Sequence, residues 1–122
     1  MAQKHWVYDP QSGGTKIPLD VQQHIHNRIM THARSVRPDQ ADKLRIRFKS
    51  RFCYIDYLET ANGHEALMHL CRLRYFNKPD EWSMAFFTYS SETYEPCLFA
   101  TGKWLGTPEE ALDIGAVFLT EA

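Results

Sequence analysis

His64, Glu65 and His69 are the first grouping that could do chemistry, because helical histidines four apart with a glutamate between them supply zinc ligands and a general base. Here the histidines are five apart and straddle a boundary between loop and strand, so the spacing does not make them converge and no metal is assigned. His24 and His26 fall on different faces of a helical stretch and read as surface residues. Asp56, Glu59, Glu65 and His69, with nearby arginines, hold the residue types for acid/base work. Asp56 has a plainer role as the cross-strand partner of Arg45, and nothing in the sequence fixes the geometry of the others. There is no nucleophile elbow, phosphate-cradling glycine loop or dinucleotide fingerprint, and Gly13-Gly14 alone is too short a signal. No catalytic residue and no cofactor is assigned. Cys53, Cys71 and Cys97 sit singly in apolar or aromatic runs, flanked inward by Ile55, Leu73 and Phe99, and are expected to be buried reduced thiols.

Binding chemistry is better represented. Arg45, Arg47, Lys49, Arg72 and Arg74 alternate with apolar residues and share a face with Phe52 and Tyr54, an arrangement that can hold phosphates and stack bases. Leu70, Phe87, Tyr89, Tyr94 and Leu98 make the same face greasier further along. An apolar patch rimmed by arginines is the dress of a protein interface, so a non-catalytic docking or homodimer surface is the leading reading and nucleic-acid binding the second.

These residues need a scaffold. From Pro18 to Val36, Val21, Ile25, Ile29 and Ala33 recur at helical spacing, and Arg37-Pro38 stops the pattern. The period then becomes two. Leu44, Ile46 and Phe48 alternate with Arg45, Arg47 and Lys49, and a Ser50-Arg51 turn pairs Arg47 with Tyr54. Asn62-Gly63 marks the next hairpin. A plain two-residue turn there would drive Arg72 and Arg74 into the core, so a bulge or an odd-length loop is expected at that turn. Two further hairpins pair Tyr75 with Trp82, and Phe86 with Cys97 with Met84 opposite Phe99; Pro96 marks an edge strand. Thr107-Pro108-Glu109-Glu110 is a capping box that opens a last helix with Leu112, Gly115, Phe118 and Leu119 inward. The fold class is α+β: a five-stranded antiparallel meander with an N-terminal and a C-terminal helix packed on one face.

The 122 residues are 43% hydrophobic, 24% charged and 13% aromatic, with a formal charge of −1. One domain over residues 1–122 is expected, with 1–17 an irregular arm held down by Trp6 and Tyr8, since two pieces of about 60 residues would each bury too little surface. No run of about 18 apolar residues suits a membrane helix. The first residues lack a signal-peptide pattern, so the expected location is the cytoplasm. Trp6-Val7-Tyr8-Asp9-Pro10 with Ser12-Gly13-Gly14, Arg45-Ile46-Arg47-Phe48 with Cys53-Tyr54-Ile55-Asp56, and Gly106-Thr107-Pro108-Glu109-Glu110-Ala111 together resemble a family of small bacterial proteins with no assigned activity. That resemblance implies a bacterial origin and carries no site or cofactor.

Overall fold

Ile25, Ile29, Met30 and Ala33 form the buried stripe of the first helix, α1 (Leu19–Val36), and Ile17 is buried just ahead of it, in a computed structural model that describes residues 13–119. Pro18 is its extended N-cap. Arg37 ends α1 because a residue before proline is driven out of the helical region, and Pro38 then starts the short α2 (Pro38–Ala41). Trp6, Tyr8 and the Phe118 side chain lie outside the described residues.

The strands follow as β1 (Leu44–Lys49), β2 (Phe52–Ala61), β3 (His64–Tyr75), β4 (Trp82–Thr88) and β5 (Thr93–Cys97), joined in that order into an antiparallel meander. A two-residue strand, β6 (Leu105–Gly106), pairs with the start of β4. The chain closes with α3 (Pro108–Gly115) and a 3-10 turn over Ala116–Leu119. In the capping box of α3, the Thr107 hydroxyl accepts from the Glu110 N–H and the Glu110 carboxylate accepts from the Thr107 N–H. Both long helices cover one face of the sheet, where Ile55, Leu73, Trp82, Met84, Phe99 and Leu112 are buried and Ile46 packs at the margin. Each such fully buried side chain contributes at most about 1.5–3 kcal/mol. No helix among the described residues is long and apolar enough to cross a membrane.

Two registers differ from expectation. Asn62 (φ 54°) and Gly63 (φ 79°) make a tight two-residue turn, with Ala61 opposite His64. The extra residue sits inside β3 instead: Ile55 faces Cys71 while Asp56 faces His69, leaving Leu70 as the bulge. Leu70 is therefore 1% exposed and lies against Gly115 of α3, where a Cβ would meet the Leu70 Cβ at 3.4 Å. It belongs to the core and not to the interaction face. The β4–β5 loop spans four residues, 89–92, so Met84 faces Cys97 and Phe86 faces Glu95, two residues from the expected pairing. An even shift preserves the faces, and Phe87 still points outward, now opposite Tyr94. Phe99 and Leu98 fall beyond the end of β5. Phe99 is buried through a turn closed by the Gly102 N–H, while Leu98 is exposed without sitting in the outer sheet ladder.

Arg28 of α1 ties the helices to the sheet. Its Nε and Nη2 donate to the two Glu109 oxygens at 2.9 and 2.7 Å, Nη2 also to Asp80, and Nη1 to the Pro79 carbonyl. The Arg28 hydrogen bond is the main reason the Glu109 carboxyl stays below its ordinary range. Replacing Arg28 by Ala is expected to cost about 1 kcal/mol at neutral pH, solvent screening keeping it modest. A carboxylate with a depressed folded pKa stabilises fully above its unfolded value near ~4.3 and loses that contribution as pH falls through the folded value. Urea titrations at pH 7 and pH 3 should therefore show the gap between wild type and variant narrowing at the acid end.

Candidate functional site

The sheet face away from the helices carries a polar centre walled by rings. Asp56 is 0% exposed and bound twice: Arg47 Nε donates to Oδ2 at 3.1 Å, and His69 Nδ1 lies 2.9 Å from Oδ1. Arg45, its expected partner, is opposite Asp56 in the ladder but turns its Nη1 to the Asp42 and Leu44 carbonyls. His69 and Arg72 are three apart, and in an uninterrupted strand they would face opposite sides. The Leu70 bulge brings both to the outer face, His69 beside Asp56 and Arg72 beside Tyr54.

Rings fill the space between the charges. His69 meets Phe87 at 4.9 Å and stacks toward Tyr89 at 6.4 Å; Phe87 contacts Tyr89 at 4.7 Å and Tyr94 at 5.1 Å. The Arg72 guanidinium lies 4.0 Å from the Phe52 ring and 4.6 Å from Tyr94, and Arg47 covers Tyr54 at 4.0 Å. Desolvated cation–π contacts of this kind reach about 2 kcal/mol.

The proposed polyanion surface changes accordingly. Arg72 and Arg74 point outward as expected but are 5% and 2% exposed, because aromatic neighbours and Ser83, which accepts from Arg74 Nε at 3.0 Å, enclose them. Phe52 is buried as well, and Tyr54 is half-buried. Arg45, Arg47 and Lys49 remain exposed along β1.

Among the rings of this face Tyr89 is the most open, 55% exposed, with its hydroxyl oxygen accepting from the His69 N–H at 2.8 Å. Tyr94 has a buried hydroxyl with no hydrogen-bond partner. Burial first, and nearby Asp56 second, push its phenol well above the ordinary range.

The other candidates separate. His64 and His69 point to opposite faces of β3, as do Ala66 beside Glu59 and Glu65 beside Thr60 in the same ladder. An imidazole oriented by a buried carboxylate is half of an acid/base device, but among the described residues His69 has no hydrogen bond to a serine, threonine or cysteine nucleophile. Between α1 and α3 a groove of about 460 Å³ is lined by His24, Arg28, His32 and Glu109, in which Arg28 pairs with Glu109 and His32 Nε2 lies 2.8 Å from Asp113 Oδ1. The Asp56–His69 contact was missed from sequence; the signal lay in the parity that puts both residues outside once Asn62-Gly63 is a two-residue turn.

Cys53 and Cys71 are buried, and burial raises both thiols far above their ordinary range; Cys97 is only half-buried, contrary to expectation. A thiol reagent should label Cys97 alone in the native protein and all three cysteines in guanidinium. Tyr94→Phe should be neutral or stabilising by up to about 1 kcal/mol, since it removes an unpaired hydroxyl. Asp56→Ala should cost about 2–3 kcal/mol, because it strips the carboxylate from two donors. Denaturant unfolding distinguishes the pair. Neither a protein family, nor a curated protein, nor a solved structure matches the chain, so any function must be argued from this geometry.

Proposed function

We propose that the chain is a non-catalytic protein-binding module whose docking surface is the outer sheet face around Phe87, Tyr89, Tyr94 and His69. The observation that carries this reading is the pre-ordered ring platform: Tyr89 is largely open to solvent, yet its hydroxyl is fixed on the His69 backbone and its ring against Phe87. Rigid aromatic rings bury area at little entropic cost, which is why they anchor interfaces. Arg45, Arg47 and Lys49 form an exposed basic rim on β1. The partner that fits is a segment with an apolar anchor flanked by carboxylates.

The same rim supports a second reading, a single-stranded nucleic acid held by β1, with Arg47 already stacked on Tyr54. A peptide-display selection on the immobilised protein, run beside titration with a fluorescent oligonucleotide, separates the two. Selected peptides should combine aromatic or aliphatic residues with Asp and Glu. Tyr89→Ser should weaken them roughly tenfold or more, and Arg47→Glu should abolish their preference for acidic residues. Peptides that bind Tyr89→Ser and wild type equally would remove the proposal. Oligonucleotide binding with a salt slope reduced by Arg47→Glu would put the second reading first.

A further inference from the structure

β4 accompanies β3 only from Cys71 to Tyr75, so His64 to Met68 have no strand beside them on that side among the described residues. On the other side β1 accompanies β2 only as far as Tyr57, with the Leu58 N–H donating to the Lys43 carbonyl. Residues 59–67 thus form a two-stranded ribbon open on both edges, and Glu65, Ala66 and Leu67 are exposed. The tight Asn62-Gly63 turn decides which backbone groups face outward. In such a hairpin the pair next to the turn, Ala61 and His64, exchanges hydrogen bonds, and the pairs then alternate. The N–H and C=O of Glu65 and Leu67 therefore point away from β2. The next outward N–H in the series, that of His69, is taken by Tyr89.

We infer that this edge of β3 pairs with the same edge of a second copy of the chain, antiparallel about a two-fold axis through Ala66. The argument for a second copy is that the edge is complementary to itself. Its two outward-facing residues flank a single residue, so Glu65 of each copy falls opposite Leu67 of the other and four backbone hydrogen bonds close. Ala66 then faces its own counterpart at the non-hydrogen-bonded position, where strands bring Cα atoms within about 4.5 Å and a small side chain fits. The two Glu65 carboxylates lie on opposite sides of the axis, each against Leu67, which is 50% exposed in the single chain. Gly63 of one copy falls opposite His69 of the other, where a side chain would crowd the Tyr89 ring; around Gly63 there is open space. From His64 to Met68 the edge has no proline, lysine or bulge to block pairing, and its one fixed charge, Glu65, falls opposite Leu67 and not against a like charge. An isologous contact of this kind stops at two copies. The inference does not depend on the docking face proposed above.

Sedimentation velocity of the full chain over a wide concentration range should show a monomer–dimer equilibrium. Leu67→Pro deletes an outward N–H and leaves the β2 ladder intact, and should weaken the dimer by roughly tenfold to a hundredfold. Thr60→Pro puts the same residue on the opposite edge of the ribbon and should leave the dimer unchanged. A second readout stands if either proline variant unfolds. In a Cys97→Ser background, Ala66→Cys should form a disulfide-linked dimer under mild oxidation, whereas Glu65→Cys, which faces Leu67, should not. A wild type that stays monomeric at every concentration, a folded Leu67→Pro that associates as wild type does, or equal cross-linking by both cysteine variants overturns the inference.

Discussion

Leu70, the one extra residue in β3, is the constraint on which the outer face depends. Two demands on β3 conflict without it. The Asn62-Gly63 turn fixes the parity at the tip and sets His69 outward, while the pairing with β4 sets Arg72 and Arg74 outward from the other end. An unbroken strand satisfies only one of these, and the alternative buries two guanidinium groups among Ile55, Leu73 and Met84 at a cost far above that of a bulge. The bulge resolves the conflict at a site where the extra side chain is apolar and can enter the core. Gly115 supplies room for it, its missing side chain allowing α3 to approach both Cys71 and Leu70. One insertion thus joins helix packing to the chemistry of the opposite face.

The outer face is not the solvated basic surface that its composition suggests. Arg72 loses most of its hydration, and burial is the main influence lowering its pKa, but the Tyr54 hydroxyl and the Phe52 and Tyr94 rings restore enough interaction to keep it charged. Asp56 is compensated in the same local way by Arg47 and His69. With these charges neutralised in place, the face presents rings and backbone to solvent, and its exposed cations are confined to β1. A phosphate backbone needs many accessible cations, and on this face only β1 offers them, which is why the partner proposed is apolar with an acidic rim.

Much of the fold could be read from period and parity, because a sheet face is a two-fold pattern and each hairpin either agrees with it or does not. The β1–β2 and β3–β4 registers follow from Leu44, Ile46, Phe48 and from Tyr75, Leu73, Cys71 meeting apolar partners. Parity also called for a bulge or an odd-length loop, which was expected at the Asn62-Gly63 turn. It could not locate it, since any position between Asn62 and Arg72 satisfies alternation and only packing against Gly115 selects Leu70. The β4–β5 slip has a similar origin: registers two residues apart keep the same faces, and the choice lies in a loop in which Glu92 adopts φ 55°. Burial of Arg72 and Arg74 was invisible for a different reason. Alternation tells which way a side chain points but not how closely Phe52, Tyr94 and Ser83 gather around it.

The sheet treats its edges unequally. β1 displays Arg45, Arg47 and Lys49, charges that resist docking of another strand, and β5 is short and carries Pro96, which cannot donate to a ladder. β6 covers the start of β4. The ribbon beyond Tyr57 and Met68 has no proline, lysine or arginine and, among the described residues, no covering strand; its fixed charges are the acidic Glu59 and Glu65, and residues 59–67 are exposed to solvent. A two-stranded ribbon is marginal in water by itself, so its persistence as ordered strand asks for either intrinsic turn strength or a partner. The Asn-Gly turn supplies the first. The unprotected Glu65 and Leu67 backbone groups, repeated with the spacing that makes the edge match its own copy, supply the place for the second.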